Sequence, residues 1–222
     1  MPEPIDLMLV GASGAVGSEV LRMALAEPRI ANVVAPTRRA LPAHKKLTNP
    51  VVDFNELPIN ASWWKVDAVI CTLGTTIKKA GSQAAFAAID CELPIRIGML
   101  ARQAGATHYA LISSMGASEQ GNFYLQTKAR AESGIRAIGF PYFTIVRPSL
   151  IDAEREEARP LETVGIVAMR LFAPLIPRRY QIVEPEDIAR ALIEGALSQS
   201  PGERIVESDA LQDTPSLPAR SG

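Results

Sequence analysis

Leu7-Met8-Leu9-Val10-Gly11-Ala12-Ser13-Gly14-Ala15-Val16-Gly17 is the stretch from which the rest of the chain can be read. An apolar run stops in three glycines spaced Gly-x-x-Gly-x-x-Gly, and an amphipathic segment follows over 18–26. Strand, glycine turn and helix form the context in which such glycines read as a dinucleotide-binding fingerprint. Gly11 permits a tight turn. Gly14 has no side chain to keep a pyrophosphate from the backbone, and Gly17 lets the helix lie close to the strand. The helix N-terminus then offers unpaired N–H groups and partial positive charge to the phosphates.

Outward from this turn, apolar runs alternate with helical patterns. Strands are expected at 5–10, 32–36, 51–54, 67–72, 108–113, 142–146 and 204–207. Helices are expected at 15–26, over 81–105 with a break or kink at Pro94, and at 122–137, 163–172 and 186–198. Such alternation predicts an α/β fold, a single Rossmann-type doubly wound parallel sheet. Domain boundaries follow: a nucleotide-binding domain over 1–207, with lid elements in 150–182, and a polar, flexible tail over 208–222.

Composition narrows the function. With 222 residues, 47% hydrophobic, the chain can bury a large core, and a net charge of -1 supplies no basic field for nucleic acid. Two cysteines and two histidines make a disulfide framework or a metal site unexpected. The acidic N-terminal stretch is not a signal peptide, and no apolar run reaches the ~18 residues of a membrane helix. The expectation is a cytoplasmic protein, monomer or homodimer, that takes a small-molecule substrate and engages neither membrane nor nucleic acid.

In this fold ligands bind at the carboxyl ends of the strands. The second strand runs into Thr37-Arg38-Arg39. An acid there would select NAD(H) by bonding the ribose 2′-hydroxyl, whereas a guanidinium pairs with a 2′-phosphate, so NADP(H) is favoured. Solvated surface arginines are the plainer alternative. Asp53-Phe54 ends the third strand, where the carboxylate could accept from the adenine amino group or merely cap a turn. Thr72-Leu73-Gly74-Thr75 ends the fourth, with small residues that would let a ribose lie against the backbone.

Tyr124 and Lys128 lie four residues apart, on one helix face. A lysine ammonium beside a phenol lowers the phenol pKa from about 10 and makes it a usable acid/base group. Lys128 could also hold the nicotinamide ribose. Ser113-Ser114 closes the fifth strand. Ser114, the later of the two, is expected to orient a substrate oxygen, with Ser113 as fallback and a turn serine as the plain alternative. Pro148 fixes the turn after the sixth strand, where backbone groups would meet the nicotinamide carboxamide.

Together these motifs resemble the short-chain dehydrogenases/reductases, with the glycine spacing of the extended and atypical branches. More narrowly, Val-Gly-Ala-Ser-Gly at 10–14, Cys-Thr-Leu-Gly-Thr-Thr at 71–76, Leu-Ile-Ser-Ser-Met-Gly-Ala at 111–117, Tyr-Leu-Gln-Thr-Lys-Ala-Arg at 124–130 and Ile-Val-Arg-Pro-Ser at 145–149 are similar to the Tat-interactive-protein-like oxidoreductases. These are small atypical members related to nucleoside-diphosphate-sugar epimerases. The resemblance implies a sheet order of 3-2-1-4-5-6-7. It also implies NADP(H) held by Gly11, Ser13, Gly14, Ala15 and Val16, with Arg38 and Arg39 at the 2′-phosphate. Ser114, Tyr124 and Lys128 would form the catalytic set. Extended relatives carry a large C-terminal substrate domain, whereas the stretch after Arg147 here is short. A small carbonyl or alcohol under a lid from 152–179 therefore fits better than a sugar nucleotide.

The leading expectation is an NADP(H)-dependent oxidoreductase. A non-catalytic NADP(H)-binding sensor and an epimerase- or dehydratase-like enzyme that borrows and returns the hydride stay open at this point.

Overall fold

The computed structural model describes residues 3–149 and 177–211. Seven parallel strands form one sheet in the order β3-β2-β1-β4-β5-β6-β7. They are β1 (Ile5–Val10), β2 (Ile30–Val34), β3 (Leu47–Thr48), β4 (Ala68–Cys71), β5 (His108–Ile112), β6 (Tyr142–Arg147) and β7 (Gly202–Glu207). The order reverses at β1, which pairs with β2 on one side and β4 on the other. A crevice opens at such a switch point, at the carboxyl ends of the strands.

Helices cover both faces, so the central strands read as unbroken apolar runs. Leu7, Met8, Leu9 and Val10 are all fully buried. On one face α1 (Ala15–Ala26) sets Val16, Val20 and Ala24 against the sheet, beside α6 (Pro185–Ala196) with Ile188, Leu192 and Ile193. Pro185 suits the first turn of α6, and Glu186 and Asp187 complement its positive end. On the other face lie α4 (Leu93–Gln103) and α5 (Phe123–Ile138), packing Ile97, Ala101, Ala131 and Ile135 against Tyr109 and Phe143. Asn122 caps α5 by accepting from the Leu125 N–H.

The expected helix over 81–105 is instead a series. It comprises α2 (Ile77–Ala80), α3 (Gln83–Ala87), a single π turn over Ala88–Glu92, and α4. Pro94 has no N–H to continue an i→i−4 ladder, and just before it the Leu93 N–H reaches back five residues to the Ala88 carbonyl. The extra residue in that turn carries Asp90 and Cys91 into the interior.

The third strand also departs from expectation. It lies at Leu47–Thr48, not 51–54, and only an isolated bridge joins Thr37 to Val51. Pro50 is the cause. The Ala35 N–H donates to Thr48 O, and the Thr37 N–H to Pro50 O, but Pro50 has nothing to donate in return. The Asn49 side-chain amide supplies the missing donor, reaching Ala35 O at 2.5 Å.

The tail does not begin at Ser208. Ser208–Leu211 forms a helical turn, α7, with Ser208 and Leu211 buried, and the Ser208 hydroxyl accepts the Ser149 N–H. An apolar residue at 211 seals the core there. The expected helix over 163–172, most of the expected lid, and residues 212–222 lie outside the described residues.

Candidate active site

The glycine turn meets the requirements read from its spacing. Gly11 has φ +92°, and a Cβ on it would come within 2.6 Å of Thr72 Oγ1. A Cβ on Gly17 would overlap the Gly11 carbonyl oxygen, so this glycine is fixed by helix–turn contact. Gly14 differs. A Cβ there would meet only Gly11 O, at 3.4 Å, so the protein's own packing leaves room for a side chain at this position. Gly14 is the N-cap of α1, with no side-chain cap and no acid in the first turn. Ser13, Gly14 and Ala15 are exposed, while Val16 turns into the core. The positive end of a twelve-residue helix is thus left bare. An uncovered cradle of N–H donors fits a dinucleotide pyrophosphate.

Beside it, Arg38 and Arg39 are exposed at the end of β2. Their loop is held from below. Asn49 donates to Ala35 O and Thr37 Oγ1 and accepts from the Leu41 N–H at 2.7 Å, and Thr37 Oγ1 donates to Arg39 O at 2.6 Å. Asp53 is a turn cap: its Oδ1 accepts from both the backbone N–H and the side-chain amide of Asn55. Phe54 is half-buried against the core face that also holds Trp64.

After β4, Thr72 Oγ1 donates back to Val10 O at 3.0 Å and ties this turn to the glycine turn. Leu73 is half-buried and Gly74 exposed. The Thr75 N–H donates to Asp90 Oδ2 at 2.9 Å. Asp90 Oδ1 lies 2.6 Å from Lys128 Nζ, with side-chain exposure of 0% for Asp90 and 6% for Lys128. Burial pushes the Lys128 ammonium down, but the charge and hydrogen bond of Asp90, together with Tyr124, outweigh it, and the net direction is up. Burial pushes the Asp90 carboxyl up, opposed by Lys128. The Tyr124 ring centroid is 5.9 Å from Lys128 Nζ, and the ring packs on Phe86. Tyr124 and Lys128 therefore share one face of α5, next to the turn after β4.

The two serines after β5 separate cleanly. Ser113 is buried and its hydroxyl donates to Glu132 Oε1 at 2.5 Å. Glu132 is buried too, and Arg147 grips both its oxygens, at 2.9 and 2.6 Å. Arg147 reaches on to Glu207 at 3.1 Å. Hydrogen bonding to Glu132 leads the interactions that raise the Arg147 pKa. This network fastens β5, α5, β6 and β7 together and leaves Ser113 no free donor. Ser114 is half-exposed, and among the described residues its hydroxyl has only a long 3.4 Å contact to Met115 O. Pro148 is buried and its carbonyl accepts the Met115 N–H, joining the turns after β5 and β6.

The sequence reading missed Asp90, Asn49 and the Glu132–Arg147 pair. Each is a polar residue in an element whose partner is distant in sequence; Asp90 and Lys128 are 38 residues apart. A depression of about 380 Å³ lined by Tyr142, Ser198 and Gly202 lies at the opposite rim, where β6 and β7 begin, away from all these residues. No helix among the described residues is long and apolar enough to cross a membrane, and none of their acid, His or Cys clusters could hold a metal.

The profile of a family described as NAD(P)H-binding matches residues 11–194. Protein fmp52, mitochondrial, of Emericella nidulans is 31% identical over 213 residues, which cover 89% of this chain and 90% of that protein. Protein HTATIP2 of Rattus norvegicus is 29% identical over 216 residues, covering 93% of this chain and 87% of its own. Among solved structures, MoeE5 in complex with UDP-glucuronic acid and NAD superimposes with a TM-score of 0.70 at 19% identity, over 91% of this chain and 76% of that one. WbmH of Bordetella bronchiseptica in complex with NAD+ gives 0.67 at 15% identity, over 93% and 76%. At such identities the likeness is one of fold.

Proposed function

The chain belongs to the NAD(P)H-binding family, in its atypical short-chain dehydrogenase/reductase group, and from that premise we propose that it is an NADP(H)-dependent oxidoreductase acting on a small carbonyl or alcohol. The observation that carries the reading is the buried Lys128 ammonium beside Tyr124 and close to Gly74, in a fold whose first helix has an uncapped N-terminus. The cofactor, when bound, supplies or accepts a hydride. Gly11, Ser13, Gly14, Ala15 and Val16 would hold its pyrophosphate, and Thr72, Leu73, Gly74 and Thr75 its nicotinamide half, with Pro148 beside the carboxamide. Arg38 and Arg39 are exposed and positively charged where a 2′-phosphate would lie, which supports NADP(H) over the NAD named with the structural neighbours. Asp53 Oδ1 serves its own turn, and the other carboxylate oxygen would accept from the adenine amino group, with Phe54 alongside.

The protein's part in the chemistry is proton handling. Ser114 has a hydroxyl free to orient a substrate oxygen. Tyr124 gives that oxygen a proton during reduction and removes it during oxidation. Lys128 places positive charge beside the Tyr124 ring, where it would steady negative charge developing during the proton transfer. Mixing the chain with NADPH and a panel of aldehydes and ketones should consume NADPH. Tyr124→Phe should lower turnover by about 10²-fold or more, the span of general acid–base catalysis, while leaving NADPH affinity within about threefold. Undiminished turnover in Tyr124→Phe would remove the catalytic assignment. The cytoplasmic placement belongs to the same proposal. Fractionation that finds the chain in mitochondria, as the fungal relatives' names have it for them, would overturn it.

A further inference from the structure

The Asp90–Lys128 pair joins the turn after β4 to the helix that carries Tyr124. The two Asp90 oxygens are used separately: Oδ1 holds Lys128 Nζ, and Oδ2 holds the Thr75 N–H. Exposed Gly74 lies over the pair. A Cβ there would sit 3.7 Å from Asp90 Oδ1 and 4.0 Å from Lys128 Nζ, within ordinary contact range. Nothing in the protein's own packing forbids a side chain at 74, yet any side chain would cover the ammonium. Lys128 has three N–H donors, and Asp90 takes one, so two can serve hydroxyl groups above Gly74.

We propose that Asp90 is a positioning residue: by gripping Lys128 and the Thr75 backbone at once, it presents the ammonium beneath Gly74 to the ribose hydroxyls of a bound dinucleotide. The inference rests on the function proposed above and adds to it a residue outside the Ser114, Tyr124 and Lys128 set. Among the described residues, the titratable neighbours of Lys128 are Asp90 and Cys91 on the π turn, Cys71 at the end of β4, and Tyr124 on its own helix. Burial raises both thiols and keeps them neutral. The compensating carboxylate is that of Asp90. Without it, burial acts unopposed by any carboxylate among the described residues and drives the ammonium toward the neutral amine.

The test uses the full chain with Asp90→Asn and Asp90→Glu. NADPH affinity is measured between about pH 6 and 9, the range toward which burial moves an unpaired lysine. The Lys128 titration is followed without nucleotide by NMR of ¹³Cε-labelled lysine, with Lys128→Met for assignment. Wild-type affinity should be flat from about pH 7 upward, where the 2′-phosphate is fully ionised. In Asp90→Asn it should fall about tenfold or more as pH rises, with the Lys128 resonance titrating inside the same window. Asp90→Glu, which keeps the charge, should restore the flat profile. A uniform loss of affinity at every pH, with an unmoved Lys128 resonance, would reduce Asp90 to a structural residue and overturn the inference. Gly74→Ala gives an arm that does not depend on Asp90→Asn folding. It covers the pair without breaking it, and should weaken NADPH about tenfold with the Lys128 resonance unchanged. Unchanged affinity there counts against the inference. A wild-type chain that binds neither NADPH nor NADH sinks the functional reading as well; a wild type that binds, with Asp90→Asn flat, sinks this inference alone.

Discussion

Ser113 and Ser114 are neighbours of the same type at one strand end, yet only one has a hydroxyl to spare. Ser113 faces inward and donates to the buried Glu132, whose other contacts come from Arg147. Ser113→Ala removes one of three donors from a buried carboxylate, which costs about 1–2 kcal/mol. Ser114→Ala removes a group with no good partner among the described residues, so stability should stay within about 0.5 kcal/mol. Turnover should show the reverse pattern. With the carbonyl substrate that NADPH consumption identifies, Ser114→Ala should lose about a hundredfold, the usual effect of deleting one donor to a developing oxyanion. Ser113→Ala should stay within a few-fold. Urea unfolding and initial rates on both variants check the split, and equal effects would mean that the two serines have been misassigned. The sequence could favour Ser114 because, as the later of the two, it falls beyond the expected strand end. It could not reveal Glu132, since nothing local marks that residue as turned toward β5.

Among the elements, the pairing of β2 with β3 shows how a local rule can be broken and repaired. Val51-Val52 looks like a strand by composition, but Pro50 precedes it and leaves Ala35 O without a backbone donor. Asn49 fills the gap with its side chain and with the same amide group holds Thr37 Oγ1 and the Leu41 N–H. The arginine-bearing loop is thus fastened at 35, 37 and 41. Asn49→Ala orphans these groups and should cost about 1–3 kcal/mol in urea unfolding. It should also reduce the preference for NADPH over NADH in calorimetric titration, because Arg38 and Arg39 lose their platform. Asn49→Asp keeps an acceptor for Leu41 but sets an oxygen against Ala35 O, so it should not rescue stability. Rescue by Asp would show that the amide donor is dispensable. The π turn was hidden from the sequence for a related reason. Pro94 announced an interruption, but a proline does not specify which residues the preceding turn sends inward, and Asp90 is among them.

At the scale of the whole molecule, strand order decides which turns meet. Gly11, Arg38, Thr72, Ser114 and Pro148 follow β1, β2, β4, β5 and β6, so a parallel sheet brings five sequence-distant turns to one rim. Apolar runs and glycine spacing were enough to read that rim. The polar groups fastening its turns to one another were not, because they depend on tertiary neighbours. If a dinucleotide lies along the rim and touches several turns, it should stabilise the entire fold. A ligand at a hundred times its Kd adds about 2.7 kcal/mol. For a domain of this size each kcal/mol moves Tm by about 2–4 °C, so NADPH should raise Tm by about 5–11 °C. NADH at the same concentration should raise it less, because it brings no 2′-phosphate to the arginines. Replacing both Arg38 and Arg39 by Ala removes charge from exposed side chains that make no ion pair among the described residues, so the unliganded Tm should barely change. The NADPH shift should then shrink to that of NADH, and the NADH shift should persist. Equal shifts for the two nucleotides in the wild-type chain would separate the arginines from cofactor choice and leave the glycine turn as the general dinucleotide site.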